Sequence, residues 1–389
     1  MRIAIDAREL IAKPTGVGRY LSSLLAAWGR LSAAAAHEFV LCSPEPLPSE
    51  YQQFSNMSVV TAPGHGTLWQ QMTLPRLIHA ANADVIFAPA YSGPLISKRP
   101  MVVSIHDVSF AAHPEWFGWR EGLQRRVMTR FSARRAVRIL TFSDFSKQEI
   151  VSHLGVDPHR VEVVYHGLTT LAGIHPYGRG PVEHEAERPI PEAPVVLYAG
   201  SIFNRRHIPE LLDGFGLLAA RRADARLELV GENRTLPFID IDALIAGSAA
   251  RQQIQARSYV TDAVLAGLYR KASAFIFCSD YEGFGMTPLE ALTAGVPIIV
   301  LDTAVTREIY GPAAHYIARP EPALIAAALE QVLFDPNERA RILSAAPGVL
   351  ARYSWQECGR RTLQILLASA ARRGMGAPMS TAEPRGAEP

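Results

Sequence analysis

The chain has 389 residues, 48% of them apolar and 20% charged, with a formal net charge of +2. That length exceeds one ordinary domain and points to two, and the composition is that of a folded globular protein rather than a disordered one. The near-neutral charge offers no electrostatic footprint for nucleic acid as a partner, and three widely spaced cysteines, Cys42, Cys278 and Cys358, exclude a disulfide framework or zinc knuckle and fit a reducing compartment.

The opening MRIAIDAREL begins on strand-like alternation and lacks the apolar stretch of a signal peptide. No run approaches the roughly 18 apolar residues of a membrane-spanning helix, so a cytoplasmic protein is expected. RIAIDA, EFVLCS, DVIFAP, MVVSIHD, RILTFS and VEVVYHG then read as strands with helical segments between several of them, the alternation of a parallel sheet covered by helices. Within this first unit, residues 1–170, PTGVGRYL sets Gly16 and Gly18 between a strand and a helix. Leu21 stands where a dinucleotide fingerprint needs its third glycine, so that fingerprint is not met. MVVSIHD places His106 and Asp107 after another strand. Residues 115–138, EWFGWREGLQRRVMTRFSARRAVR, carry seven arginines and two glutamates and are led by Trp116, Phe117 and Trp119. Such a helix lies either on an anionic membrane surface or simply in water, and the sequence leaves both readings open.

Residues 171–193 are rich in proline, glycine and charge and form the best linker candidate. Alternation restarts with VVLYAG, RLELVGE, SAFIFCS and GVPIIVLD, giving a second doubly wound unit over 194–354. A helix is predicted over 355–373, and the small, polar, proline-bearing end 374–389 is expected to be disordered. FIDIDAL contains Asp240 and Asp242 in a D-x-D arrangement, but it follows a proline and precedes a helical pattern. N-capping is the expected job there, and no metal is predicted.

Two stretches carry chemistry. NRRHI sets Arg205 and Arg206 between a strand and a helix, where guanidinium groups bind diphosphate through bidentate hydrogen bonds and neutralise a departing anion. In SDYEGFGMTPLEAL, Glu282 and Glu290 stand eight positions apart around Gly283, Phe284, Gly285 and Met286. Thr287 to Glu290 spells T-x-x-E with Pro288 in the first helical position, which reads as a capping box that would occupy Glu290. Glu282 instead precedes a flexible turn at the carboxyl end of a strand, where open parallel sheets place ligands. Glycines there let backbone N–H groups approach a ligand, and the helix start favours phosphate. Two carboxylates beside a phosphate site make sense as acceptors for polyol hydroxyls, the pattern of a sugar nucleotide.

The E-x7-E spacing within EGFGMTPLEALTAGVPII resembles the signature of the retaining glycosyltransferases of family four, which have the GT-B fold of two facing Rossmann-like domains. YAGSIFNRRHIPELLDGF, HGL, REIYGPAAHYI, PTGVGRYL, SIHDVSF and FSDFSKQEI are similar to other segments of that family, and together they span most of residues 1–370. The sequence departs from the family with Arg206 where lysine is usual and His207 where asparagine is common.

The resemblance implies that Arg205 and Arg206 hold the donor diphosphate, Glu282 contacts the transferred sugar, and Glu290 binds the ribose. It implies further that the backbone of residues 283–286 completes the sugar pocket, that His106 reaches the sugar across the cleft, that Gly16 and Gly18 face the donor phosphates, and that Arg19 and Asp107 serve the acceptor side. It also implies retention of anomeric configuration, a terminal helix packing back on the first domain, and a glycan or lipid-linked acceptor. IDAREL, PTGVGRY and GSIFNRR most resemble bacterial mannosyltransferases of surface polysaccharide assembly, which makes GDP-mannose the favoured donor and a UDP-sugar the alternative. A GT-B sugar-nucleotide epimerase or phosphorylase, and a non-catalytic sugar-nucleotide binding protein, remain as rival readings.

Overall fold

The computed structural model describes residues 1–11, 16–168 and 193–371. The linker expected over 171–193, apart from Ala193, and the tail 374–389 lie outside the described residues, as do Pro14 and Thr15 of the glycine-bearing loop. Among the described residues thirteen strands form two sheets. The first contains β1 (Arg2–Asp6), β2 (Glu38–Ser43), β3 (Met57–Thr61), β4 (Val85–Ala88), β5 (Met101–Ser104), β6 (Arg138–Thr141) and β7 (Val161–Val163). The second contains β8 (Val195–Ala199), β9 (Arg226–Val230), β10 (Ile254–Arg257), β11 (Ala274–Phe277), β12 (Ile298–Leu301) and β13 (His315–Ile317).

The strand orders are β3-β2-β1-β4-β5-β6-β7 and β10-β9-β8-β11-β12-β13, with parallel pairing throughout. The central strands β4, β5, β11 and β12 are buried along their whole length, as parallel strands covered on both faces must be. In each sheet the order reverses beside the first strand, between β1 and β4 and between β8 and β11. Those reversals open the crevices at which doubly wound sheets hold ligands.

Three strands escaped the sequence reading: β3, β10 and β13. All are sheet edges whose residues are mostly only partly buried or exposed, so they lack the continuous apolar run that marks an interior strand.

The helix Trp355–Ala371 follows the second sheet in the chain but packs on the helix Gly16–Arg30 of the first domain. Trp28 Nε1 donates to the carbonyl of Gly359 at 2.8 Å, and Trp28 stacks on Phe39 with ring centroids 4.8 Å apart. A side chain at Gly359 would put its Cβ 3.1 Å from that of Ala27, so glycine sets how closely the two helices approach. One hydrophobic cluster runs from the first sheet through this helix into the second domain, while another fills the opposite face of the first sheet. The domains are therefore joined by a shared core as well as by chain.

Candidate active site

The carboxyl ends of the two sheets face each other. The loop after β11 docks on the first domain: Ser143 Oγ and Ser146 Oγ donate to the carbonyl of Gly283 at 2.7 and 3.1 Å. Ser143 also caps the helix Asp144–Leu154 by accepting from Ser146 N. From the second domain, Glu308 accepts from the backbone N–H groups of Asp144 and Phe145 at 2.7 and 3.0 Å, a carboxylate placed on the positive end of that helix.

Arg205 and Arg206 follow β8, and Glu282 follows β11, so they flank the crevice of the second sheet. Arg206 Nε and Nη2 lie 2.9 and 2.7 Å from Glu282 Oε1, and Ser279 Oγ donates to the same oxygen at 2.8 Å. Burial opposes the charge of Arg206, but Glu282 outweighs it and holds the guanidinium pKa above its ordinary value. These contacts all converge on Oε1. Arg205 differs from its neighbour. Its Nε donates to the carbonyl of Tyr281 at 3.1 Å and its guanidinium lies over the rings of Phe203 and Trp116. Among the described residues no acid pairs with it, which leaves its charge for an anion.

His207 takes a left-handed backbone, φ +52°, at the turn into the helix Ile208–Ala219. Burial lowers its pKa, but Asp280, 2.6 Å away, and Glu210 reverse that, so the ring titrates above its ordinary value. A basic loop at a helix start is thus partly neutralised by the protein's own acids.

The helix after the glycine loop runs Met286–Thr293 with Gly285 as its N-cap, φ +84°, and no side-chain cap. The capping-box expectation is therefore corrected. Glycine admits the left-handed conformation, the helix begins ahead of Thr287, and Pro288 becomes its third residue. Glu290 lies one turn further in, buried, and accepts from Tyr269 Oη at 3.0 Å. Burial raises its carboxyl pKa, against Arg19 and the Tyr269 hydroxyl, which lower it. Phe284 is buried against Tyr165, His166 and Tyr353, so that residue has only its backbone to offer a ligand. The Met286 side chain packs against the core.

Across the cleft, His106 Nε2 lies 2.9 Å from the carbonyl of Pro89. A carbonyl only accepts, so Nε2 carries the proton and Nδ1 is an acceptor in the neutral ring. Burial lowers its pKa to about 4, and the neutral form prevails at pH 7. Asp107 is committed elsewhere: it accepts from Tyr91 Oη at 3.0 Å and from Ser109 N and Oγ at 2.8 and 2.6 Å. Gly16 and Gly18 form the first turn of the helix Gly16–Arg30, where backbone N–H groups have no intrahelical acceptor. Arg19 reaches the second domain and pairs with Asp262 at 2.7 Å, beside Glu290.

The sequence reading missed Ser143, Ser146, Ser279, Tyr269 and Glu308, whose roles depend on pairings between distant segments. It also missed a buried network at the crevice of the first sheet. There Asp6 accepts from Arg8 Nε and Nη2, both at 2.9 Å, and from Gln70 Nε2 at 3.1 Å, and Gln70 Nε2 also donates to the carbonyl of Ser92 at 2.8 Å. In the Asp240 loop, that side chain caps the helix Ile241–Gly247 by accepting from Ala243 N at 2.9 Å. Among the described residues no group of three or more His, Cys, Asp or Glu is placed to hold a metal ion.

Two family models match the chain: "Glycosyltransferase Family 4" over residues 14–170 and "Glycosyl transferases group 1" over residues 182–348. The chain belongs to the family 4 glycosyltransferases. This glycosyltransferase is 27% identical to the O-antigen chain mannosyltransferase B of Escherichia coli, over 92% of its own length and 98% of the relative's. Among solved structures, it matches HepE of Anabaena in complex with UDP and glucose with a TM-score of 0.71 at 18% identity, covering 95% of this chain and 100% of that one. WaaG, a glycosyltransferase involved in lipopolysaccharide biosynthesis, matches with a TM-score of 0.68 at 16% identity, covering 94% and 99%. The enzyme's two parallel-sheet domains are thus those of the GT-B fold.

Proposed function

We propose that the enzyme is a retaining hexosyltransferase that moves mannose from GDP-mannose to a glycan or lipid-linked glycan acceptor, working at the inner face of the cytoplasmic membrane with peripheral contact through residues 115–138. The observation that carries the chemistry is the Arg206–Glu282 pair beside Arg205, whose guanidinium pairs with no acid among the described residues, at the crevice of the second sheet and opposite neutral His106. The choice of mannose draws support from the near full-length likeness to a mannosyltransferase.

In this reading the second domain holds the nucleotide sugar and the first presents the acceptor. Glu290 accepts hydrogen bonds from the ribose hydroxyls, and Glu282 and His106 Nδ1 accept from hydroxyls of the sugar. Arg205, with the N–H groups of the first turns at Gly16 and Met286, binds the diphosphate. No carboxylate is assigned to attack the anomeric carbon. The bond from that carbon to the phosphate oxygen breaks as the acceptor oxygen bonds on the same face, and the acceptor proton passes to the departing phosphate. Arg205 and Arg206 stabilise the charge that develops on the leaving group.

Calorimetry with GDP, UDP, ADP and their sugar conjugates tests the donor, on the wild type and on Glu290→Gln. GDP and GDP-mannose are expected to bind selectively, and the variant to bind them roughly tenfold more weakly through loss of a charge-assisted acceptor. Selective UDP binding would reject the guanosine donor, and equal binding by the variant would remove Glu290 from the site. Nuclear magnetic resonance of the product linkage distinguishes retention from inversion.

A further inference from the structure

The helix Trp119–Arg135 reverses the usual burial pattern. A surface helix ordinarily turns its large apolar side chains to the core. Here the buried positions are Gly122, Thr129, Ser132 and Ala133, all small. Trp119, Leu123, Val127 and Phe131 are instead 72%, 47%, 41% and 53% exposed. Spaced every four residues, they fan over about 120° of the helix surface, away from the small face. Small residues let the helix lie close to the domain: Ser132 Oγ accepts from the backbone of Gly93 at 3.2 Å.

Arg120, Arg130 and Arg134 are exposed within the same fan. The helix's single acid, Glu121, lies outside it and pairs with Arg125 at 2.8 Å. Exposed apolar side chains also stand on the segments hydrogen-bonded to this helix. Leu68 and Met72 are 74% and 47% exposed on the stretch joined to this helix by the Gln124–Thr67 hydrogen bond of 2.9 Å. Ile96 is 65% exposed in the loop whose Arg99 carbonyl accepts from Arg135 at 2.8 Å. Scattered exposed hydrophobics need no explanation, but a contiguous set of them marks a docking surface. Arginines interleaved with aromatic and aliphatic side chains, without an intervening acid, complement anionic headgroups above an acyl layer. Among the described residues no helix is long and apolar enough to cross a membrane, so the fit is to a surface.

We propose that Trp119, Leu123, Val127 and Phe131, with Leu68, Met72 and Ile96, enter the headgroup boundary of an anionic bilayer while Arg120, Arg130 and Arg134 engage lipid phosphates. The inference rests on the membrane part of the function proposed above and not on its donor chemistry. It also orients the cleft. Trp116, just ahead of the helix, lies under the guanidinium of Arg205 with 5.5 Å to the ring centroid, so the docking surface adjoins the donor site and sets a membrane-borne acceptor beside it.

Flotation of the full chain with phosphatidylcholine vesicles, with and without phosphatidylglycerol, tests this. The wild type is expected to float only with the anionic vesicles. The triple variant Trp119→Ser, Leu123→Ser, Phe131→Ser should stay in solution. Arg120→Gln, Arg130→Gln, Arg134→Gln should weaken binding roughly fivefold per arginine. Both variants should keep the thermal midpoint and nucleotide binding of the wild type. The proposal is overturned if the wild type fails to float, if either variant floats like the wild type, or if ultracentrifugation shows a stripe-dependent dimer that leaves vesicles unbound. Nucleotide calorimetry on the same samples reports separately on the donor reading, so either can fail alone.

Discussion

Arg205 and Arg206 are neighbours in sequence with different surroundings. Arg206 is enclosed with Glu282, their side chains 11% and 15% exposed, whereas Arg205 rests on aromatic rings with its charge unclaimed. Removing Arg206 strands a largely buried carboxylate, so Arg206→Ala should cost about 3–5 kcal/mol of stability. Arg205→Ala should leave stability almost unchanged and slow transfer roughly 100- to 1,000-fold, the scale for losing a donor aimed at developing charge. Denaturant unfolding and single-turnover kinetics on both variants check the contrast. An Arg206→Ala protein as stable as the wild type, or an Arg205→Ala enzyme at full rate, would remove the division of labour. Both arginines were legible as a basic pair at a strand end. Their difference was not, because it depends on Glu282 approaching one of them across 76 positions of chain.

The element that most constrains the cleft is the loop of Gly283, Phe284 and Gly285. A Cβ at Gly283 would stand 2.1 Å from the carbonyl oxygen of His106, and one at Gly285 would stand 2.2 Å from Tyr310 Oη. The first clash is with backbone, which has no rotamer through which to give way. Gly283→Ala should therefore lift the loop off the first domain, lowering kcat/KM and enlarging the radius of gyration in solution scattering. Gly216→Ala, where an added Cβ meets nothing within 4 Å, is the control and should change neither. If Gly283→Ala scatters and turns over like the wild type, the docked loop is not the working arrangement. The glycines were visible in sequence as a flexible turn. That Gly285 starts the helix was not, because the local T-x-x-E pattern matches a capping box equally well and only the backbone path separates the two.

For the whole molecule, the meeting point of the domains is aromatic. His166 lies against Phe142, Phe284 and Trp355, and Tyr20 against His106 and His166. Burial holds His106 at about 4 and His166 well below its ordinary value, with His106 adding to the effect on His166. As pH falls below about 6.5 the unfolded chain takes up protons on these rings that the folded chain refuses, down to about pH 4 for His106. Stability is therefore fully present above about pH 6.5 and is lost as pH falls, by up to about 2 kcal/mol at pH 5 for His106 and in the same direction for His166. Thermal unfolding between pH 7.5 and 5 should show the decline, and His166→Phe should make it shallower. An equally steep decline in the variant would assign the acid sensitivity to other groups.

The sequence by itself determined the two doubly wound units, the interior strands and the family, because buried parallel strands are continuous apolar runs and the site motifs sit at their ends in fixed local order. It also carried the composition of the basic helix, but not which side of it faces out. Tertiary structure decided the edge strands β3, β10 and β13, whose partly exposed residues leave no such run. It also decided that Glu282 holds Arg206, that Glu290 pairs with Tyr269, and that Glu308 spans the domains. Each of these joins groups far apart in the chain, and no periodicity records a distance that only the folded core brings about.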